Sequence, residues 1–210
     1  MDIRATVKAN PLLAIMRNVS LDKTLDYAQA IIDGGVRFFE VALNSQNGLQ
    51  QISMLAEKFG DQALIGAGTA VTVDLAKAAL DAGAQFLLTP STSVDVLEYC
   101  QKNNVMLLPG VLTPTDVETC LRYGFDTMKL FPAGDMPKHY IKSLKGPFDQ
   151  TDYIAIGGVN ADNIRSFFDA GYLGVGLGSA ILPKQAVLNN DWKTASDYVA
   201  MLVDKIKSED

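Results

Sequence analysis

The chain is poor in the residues from which metal and thiol centres are built. Among 210 residues there is one histidine, His139, and there are two cysteines, Cys100 and Cys120. Without a second imidazole the usual His-rich zinc centre cannot be assembled, and a Ser-His-Asp triad would rest on His139 alone. Cys100 and Cys120 match no redox or zinc spacing and fall inside helical patterns, where buried free thiols are expected. The chemistry is therefore expected to need no metal and no cofactor.

Positive charge is scarce too. Eighteen Lys and Arg stand against 24 Asp and Glu, a net charge of -6, and no stretch clusters the basic residues. Nucleic acid is excluded as an expected partner. No apolar run approaches the roughly 20 residues that span a bilayer, and residues 1–10 (MDIRATVKAN) are too polar for a signal peptide. The expectation is a cytoplasmic protein that binds no membrane and acts on a small molecule.

What the chain does have is 48% hydrophobic content, ample for one core, so a single domain over residues 1–210 is expected. Eight short apolar runs, LLAIM, FFEVAL, LIGAG, FLLTP, MLLPG, TMKLFP, YIAIGG and GVGLGS, are separated by segments with helical spacing that stop at glycine. A weak repeat links IDGGVRFFEV, LDAGAQFLLT, LRYGFDTMKL and FDAGYLGVGL, in which Gly35, Gly83, Gly124 and Gly171 each join a helix end to a strand. Strand-helix alternation calls for parallel strands. Eight of them in so short a chain predict a TIM (β/α)8 barrel, with an open doubly wound sheet as the alternative.

Two charges break the apolar runs. In DTMKLFPAG, Lys129 lies between Met128 and Leu130, and a period of two puts it on one face with Thr127 and Phe131. In FFEVAL, Glu40 shares a face with Phe38 and Ala42. A buried acid and base could be a structural ion pair, although such pairs contribute little stability compared with apolar packing. The catalytic reading uses the same burial: a desolvated lysine is a neutral amine able to attack a ketone, and Glu40 would move protons.

The rim adds binding groups. Arg17 stands just past the first run, where a guanidinium can hold a carboxylate by two hydrogen bonds; a plain surface arginine is the alternative. Thr69, which closes GAGT, could donate to the same carboxylate or cap a helix. Pro90, ending FLLTP, and Phe131 are further expected substrate-binding residues. IGGVNADN and GLGSAI end the last two strands in glycine, and the amides of Gly157, Gly158, Gly178 and Ser179, with helix N-termini, can cradle a phosphate. Tight turns are the bland alternative for each motif taken singly.

GGVRFFEVALNS, LIGAGT, LLPGVLTPTD, MKLFPA, IGGVNADNI and GLGSAIL together resemble the 2-keto-3-deoxy-6-phosphogluconate and 6-phosphogalactonate aldolases, over nearly the whole chain. The resemblance implies cleavage of a phosphorylated keto acid to pyruvate and glyceraldehyde 3-phosphate, with Lys129 as Schiff-base lysine, Glu40 as general acid/base, and a homotrimer of barrels. Where the phosphogluconate branch has an arginine in EVTLRT, this chain has Asn44 in EVALNS, so the carboxylate would fall to Arg17. Ile156 stands where that branch places threonine, and GLGS where it favours GGSW; all three features resemble the phosphogalactonate enzymes. Two other readings stay open: a metal-free sugar-phosphate isomerase with Glu40 as base and Lys129 as electrophile, and a phosphometabolite-binding protein with an ion-paired interior.

Overall fold

A computed structural model describes residues 2–207. In chain order, α1 (Ile3–Ala9), β1 (Leu12–Met16), α2 (Thr24–Asp33), β2 (Phe38–Ala42), α3 (Gly48–Phe59), β3 (Leu64–Gly68), α4 (Val73–Asp81), β4 (Phe86–Leu88) and α5 (Val94–Lys102) form the first half. β5 (Leu107–Leu108), β6 (Gly110–Val111), α6 (Pro114–Arg122), β7 (Thr127–Leu130), α7 (Tyr140–Lys145), β8 (Asp152–Ile156), α8 (Ile164–Asp169), β9 (Gly174–Leu177), α9 (Lys184–Asn189) and α10 (Trp192–Ile206) form the second.

All neighbouring strands are parallel, in the order β5-β4-β3-β2-β1-β9-β8-β7-β6. The two ends of that order are consecutive in the chain and separated only by Pro109. Leu108 C=O accepts the Thr89 N–H at 3.3 Å on one side, and Pro109 C=O accepts the Lys129 N–H at 2.9 Å on the other. Residues 107–111 therefore close the sheet into a (β/α)8 barrel, and the open sheet is excluded. The fifth strand is divided because proline has no N–H to give the ladder.

The helices start and stop where local chemistry directs. Thr72 Oγ1 accepts the Leu75 N–H at 3.2 Å, and Thr113 and Asp116 form a capping box ahead of Pro114. Thr72, not Thr69, is thus the α4 cap. At the other ends, Gly35, Gly83, Gly124 and Gly171 have φ of 98°, 103°, 82° and 94°, so the repeat read in the sequence is one reversal of chain direction used four times.

Alternation sorts the strand residues into two cores. Met16, Phe39, Val41, Ile65, Leu87, Met128, Tyr153 and Val175 face the helices. Leu13, Ile15, Phe38, Phe86, Leu88, Leu108, Ile154 and Ile156 fill the lumen, joined by Val7 of α1. Phe38 and Phe86 stack with centroids 4.7 Å apart, and Gly66 leaves the space the Phe86 ring occupies. At the strands' N-terminal end Arg4 pairs with Asp126 at 3.3 Å and Asp152 at 3.0 Å, and Lys145 pairs with Asp152 at 2.9 Å. No helix among the described residues is long and apolar enough to cross a membrane.

Candidate active site

Lys129 sits on β7 with its side chain in the lumen, 4% exposed, in register with Gly110 on one side and Ile154 on the other. Its Nζ lies 5.0 Å from the centre of the Phe131 ring. Burial pushes the amine below its ordinary pKa; the Glu40 charge opposes that shift and the Arg17 charge adds to it. Glu40, on β2, is 1% exposed. Burial raises its carboxyl well above the ordinary range, against the pull of Lys129 and then Arg17.

The two side chains interact without clasping. Among the described residues no protein group hydrogen-bonds Glu40 Oε2, and neither residue takes part in the ion pairs found there. A buried carboxylate oxygen left unpaired is costly, which argues against a purely structural ion pair and for a group held ready for another partner. Its position depends on Gly68 of β3, because a Cβ there would run into the Glu40 carboxyl group.

Above this pair, at the C-terminal ends of β1, β7, β8 and β9, a cavity of about 520 Å³ opens to solvent. Arg17, Phe131, Ile156, Gly157, Gly158, Gly178 and Ser179 all line it, as the sequence places them. Gly157 and Gly158 have φ of 91° and 75°, a turn only glycine adopts readily, and Gly157 C=O accepts the Gly134 N–H at 2.7 Å. Among the described residues no turn or side-chain hydrogen bond uses the N–H of Gly157, Gly158, Gly178 or Ser179. The helices α8 and α9 begin several residues further on, so the turns themselves, and not helix N-termini, present these donors.

Four expected residues lie outside the cavity wall: Lys129 and Glu40, buried within the barrel, and Thr69 and Pro90. Thr69 is half-buried beyond β3 with φ 63°, a strained conformation for a β-branched residue and one found where function constrains the backbone. Pro90 is half-buried beyond β4, its backbone packed on Gly110. Among the described residues no group of three or more His, Cys, Asp or Glu side chains is placed to hold a metal ion.

Residues 3–197 match the family model described as "KDPG and KHG aldolase". The chain belongs to this aldolase family. It is 36% identical over 171 residues to the 2-dehydro-3-deoxy-6-phosphogalactonate aldolase of Escherichia coli K12, covering 80% of this chain and 83% of that one. It is 31% identical over 183 residues to the 2-dehydro-3-deoxy-phosphogluconate aldolase of Pseudomonas aeruginosa, covering 87% and 81%. A solved KDPG aldolase from Legionella pneumophila, with pyruvate captured as a covalent carbinolamine, superposes with a TM-score of 0.88 at 28% identity over 96% of this chain and 98% of that one. As an aldolase the protein is a lyase.

Three residues at the mouth of this aldolase escape sequence reading. Asn18, Tyr27 and Asn160 line the cavity. Tyr27 belongs to α2 and reads as a core position; it is 7% exposed and burial raises its phenol pKa. Asn18 has φ 55°, and only the asparagine following the strand-end Arg17 hints at a left-handed turn. Asn160 closes the glycine turn: its N–H donates to Asn163 Oδ1 at 2.9 Å, and Asn163 Nδ2 donates to Gly158 C=O at 2.8 Å.

Proposed function

We propose that this aldolase cleaves 2-keto-3-deoxy-6-phosphogalactonate to pyruvate and glyceraldehyde 3-phosphate through a Schiff base on Lys129. The observation that carries the reading is the desolvated Lys129 amine and the buried Glu40 carboxyl, each within reach of the other's charge, in a barrel whose amide-lined mouth Lys129 approaches through Phe131. The amine attacks the substrate keto carbon to form a carbinolamine, which loses water to give an iminium ion. Glu40 takes the proton from the carbon-4 hydroxyl, the C3–C4 bond breaks, its electrons pass into the iminium to leave an enamine, and the aldehyde departs. Glu40 then returns a proton to C3, and water releases pyruvate from Lys129.

In this reading Arg17, with Thr69 at the same rim, holds the carboxylate, and the amides of Gly157, Gly158, Gly178 and Ser179 take the phosphate. Phe131 and Pro90 wall the reacting centre. Ile156 faces the lumen, packed beside Gly176, and would meet the substrate near carbon 4 without offering a hydrogen bond. That apolar contact, Asn44, GLGS and the 36% identity to the phosphogalactonate relative support the galactonate epimer over phosphogluconate. The family resemblance also supports a cytoplasmic homotrimer of single barrel domains, which sedimentation would report as three times 22.6 kDa. The mechanism is tested by trapping: pyruvate with borohydride should leave a stable reduced adduct on the peptide containing Lys129. An unmodified Lys129 alongside active turnover would refute it.

A further inference from the structure

Among the described residues no protein group hydrogen-bonds the Arg17 guanidinium, which is exposed at the cavity mouth. With no protein partner to hold it, the direction in which the Arg17 side chain leaves the strand end is set by the backbone alone. The next residue, Asn18, holds a left-handed conformation, φ 55°, that residues other than glycine adopt uncommonly. Its N–H donates to Ser45 Oγ at 3.0 Å, a link between segments 27 residues apart. Ser45 is 8% exposed and is itself fixed: its N–H donates to Ala42 C=O at 3.0 Å, and its C=O accepts the Gly48 N–H at 3.3 Å. The turn after β2 thus offers a rigid acceptor to the turn after β1, beside the paired strands.

We infer that Ser45 is a positioning residue whose hydroxyl locks the left-handed turn at Asn18 and so aims Arg17 at the carboxylate of the keto acid. The inference rests on the proposed role of Arg17. Removing the acceptor frees Asn18 to relax toward the commoner right-handed or extended conformations, which swings the preceding side chain away from the mouth. Asn44, adjacent to Ser45, offers no cation of its own, so the carboxylate depends on one guanidinium being held in place.

The test is borohydride trapping at Lys129 with pyruvate and with hydroxyacetone, a ketone of similar size that lacks the carboxylate, in wild type, Ser45→Ala, Ser45→Thr, Arg17→Ala and the Ser45→Ala/Arg17→Ala double variant. Ser45→Ala should raise the half-saturating pyruvate concentration several-fold, about fivefold for one lost hydrogen bond, and leave hydroxyacetone within about twofold. Ser45→Thr, which keeps the hydroxyl, should restore the preference for pyruvate. The double variant should be no worse than Arg17→Ala, because the serine acts through the arginine. Equal losses with both ketones, or additive losses in the double variant, would overturn the inference. If Arg17→Ala loses pyruvate selectively and Ser45→Ala does not, the serine role fails while the carboxylate role of Arg17 stands. If Arg17→Ala does not discriminate the two ketones, both fail together.

Discussion

Replacing Gly68 with alanine adds one methyl group to the barrel, and the structure fixes where it lands. A Cβ at Gly68 would coincide with the Glu40 carboxyl group and lie 2.6 Å from Glu40 Cγ, whereas ordinary contact begins at 3.4 Å. Gly68 has no positive φ, so the backbone accepts alanine and the whole strain falls on the acid. Glu40 must leave its rotamer, and its carboxyl group is displaced from the position that Gly68 makes room for. Loss of a positioned general acid/base typically costs about 10² to 10⁴ in rate. We therefore expect kcat to fall at least about 100-fold, or ~2.7 kcal/mol of barrier, with KM changed by less than about threefold. The assay couples released pyruvate to its reduction by NADH, with circular dichroism and thermal unfolding as controls for an intact fold. A folded Gly68→Ala variant with kcat within about threefold of wild type would show that Glu40 does not need this pocket, and the proton-transfer role derived from it would be wrong.

Lys129→Met should abolish turnover and leave the thermal midpoint unchanged or higher, since it exchanges a buried amine for an apolar chain; a clearly lower midpoint would mean that the amine contributes to stability. Because burial raises the Glu40 carboxyl above its ordinary pKa of 4.5, the folded chain holds that proton more tightly than the unfolded chain. Stability from this group is therefore present at low pH and declines as pH rises from about 4.5 through the folded value. Urea midpoints compared with Glu40→Gln should show wild type losing ground across that window, and parallel curves would contradict the raised carboxyl. Gly178 has open space where a side chain would go and no positive φ, so Gly178→Leu blocks the mouth without straining the turn, whereas a side chain at Gly158, with φ 75°, would strain it. It should raise KM for the phosphorylated substrate by about tenfold or more and spare the unphosphorylated analogue, with equal effects counting against a phosphate there. Ile156→Thr should shift the ratio of specificity constants toward the phosphogluconate epimer several-fold, about 0.5–1.5 kcal/mol; an unchanged ratio would remove Ile156 as the discriminator.

The barrel was legible because its strands are short and bounded by glycine, and Lys129 and Glu40 because a period of two assigns every strand residue a face. Arg17 and the two glycine turns could be placed since strand ends in a barrel share one rim. What stayed hidden depends on contacts between distant segments. Nothing in LIGAG says that Gly68 makes room for an acid on the neighbouring strand, and nothing in ALNS says that Ser45 meets the amide after Arg17. The division of the fifth strand was written in Pro109, but MLLPG reads equally as a strand that ends there. The left-handed Thr69 was unreadable, because a β-branched residue in that conformation runs against its own preference.

The ion pairs of Arg4 lie at the opposite end of the barrel from the cavity, yet β7 reaches both: Asp126 meets Arg4 just before the strand begins, and Lys129 follows a few residues later. The ion-paired end and the reacting amine are therefore separate addresses on one strand. A lineage moving to a warmer habitat could strengthen the cluster around Asp126 and Asp152 without disturbing the amine, and one acquiring a new sugar acid could rework the rim without loosening the base. An engineer can use the same partition, grafting a wider mouth onto a reinforced floor and expecting the two changes to combine additively.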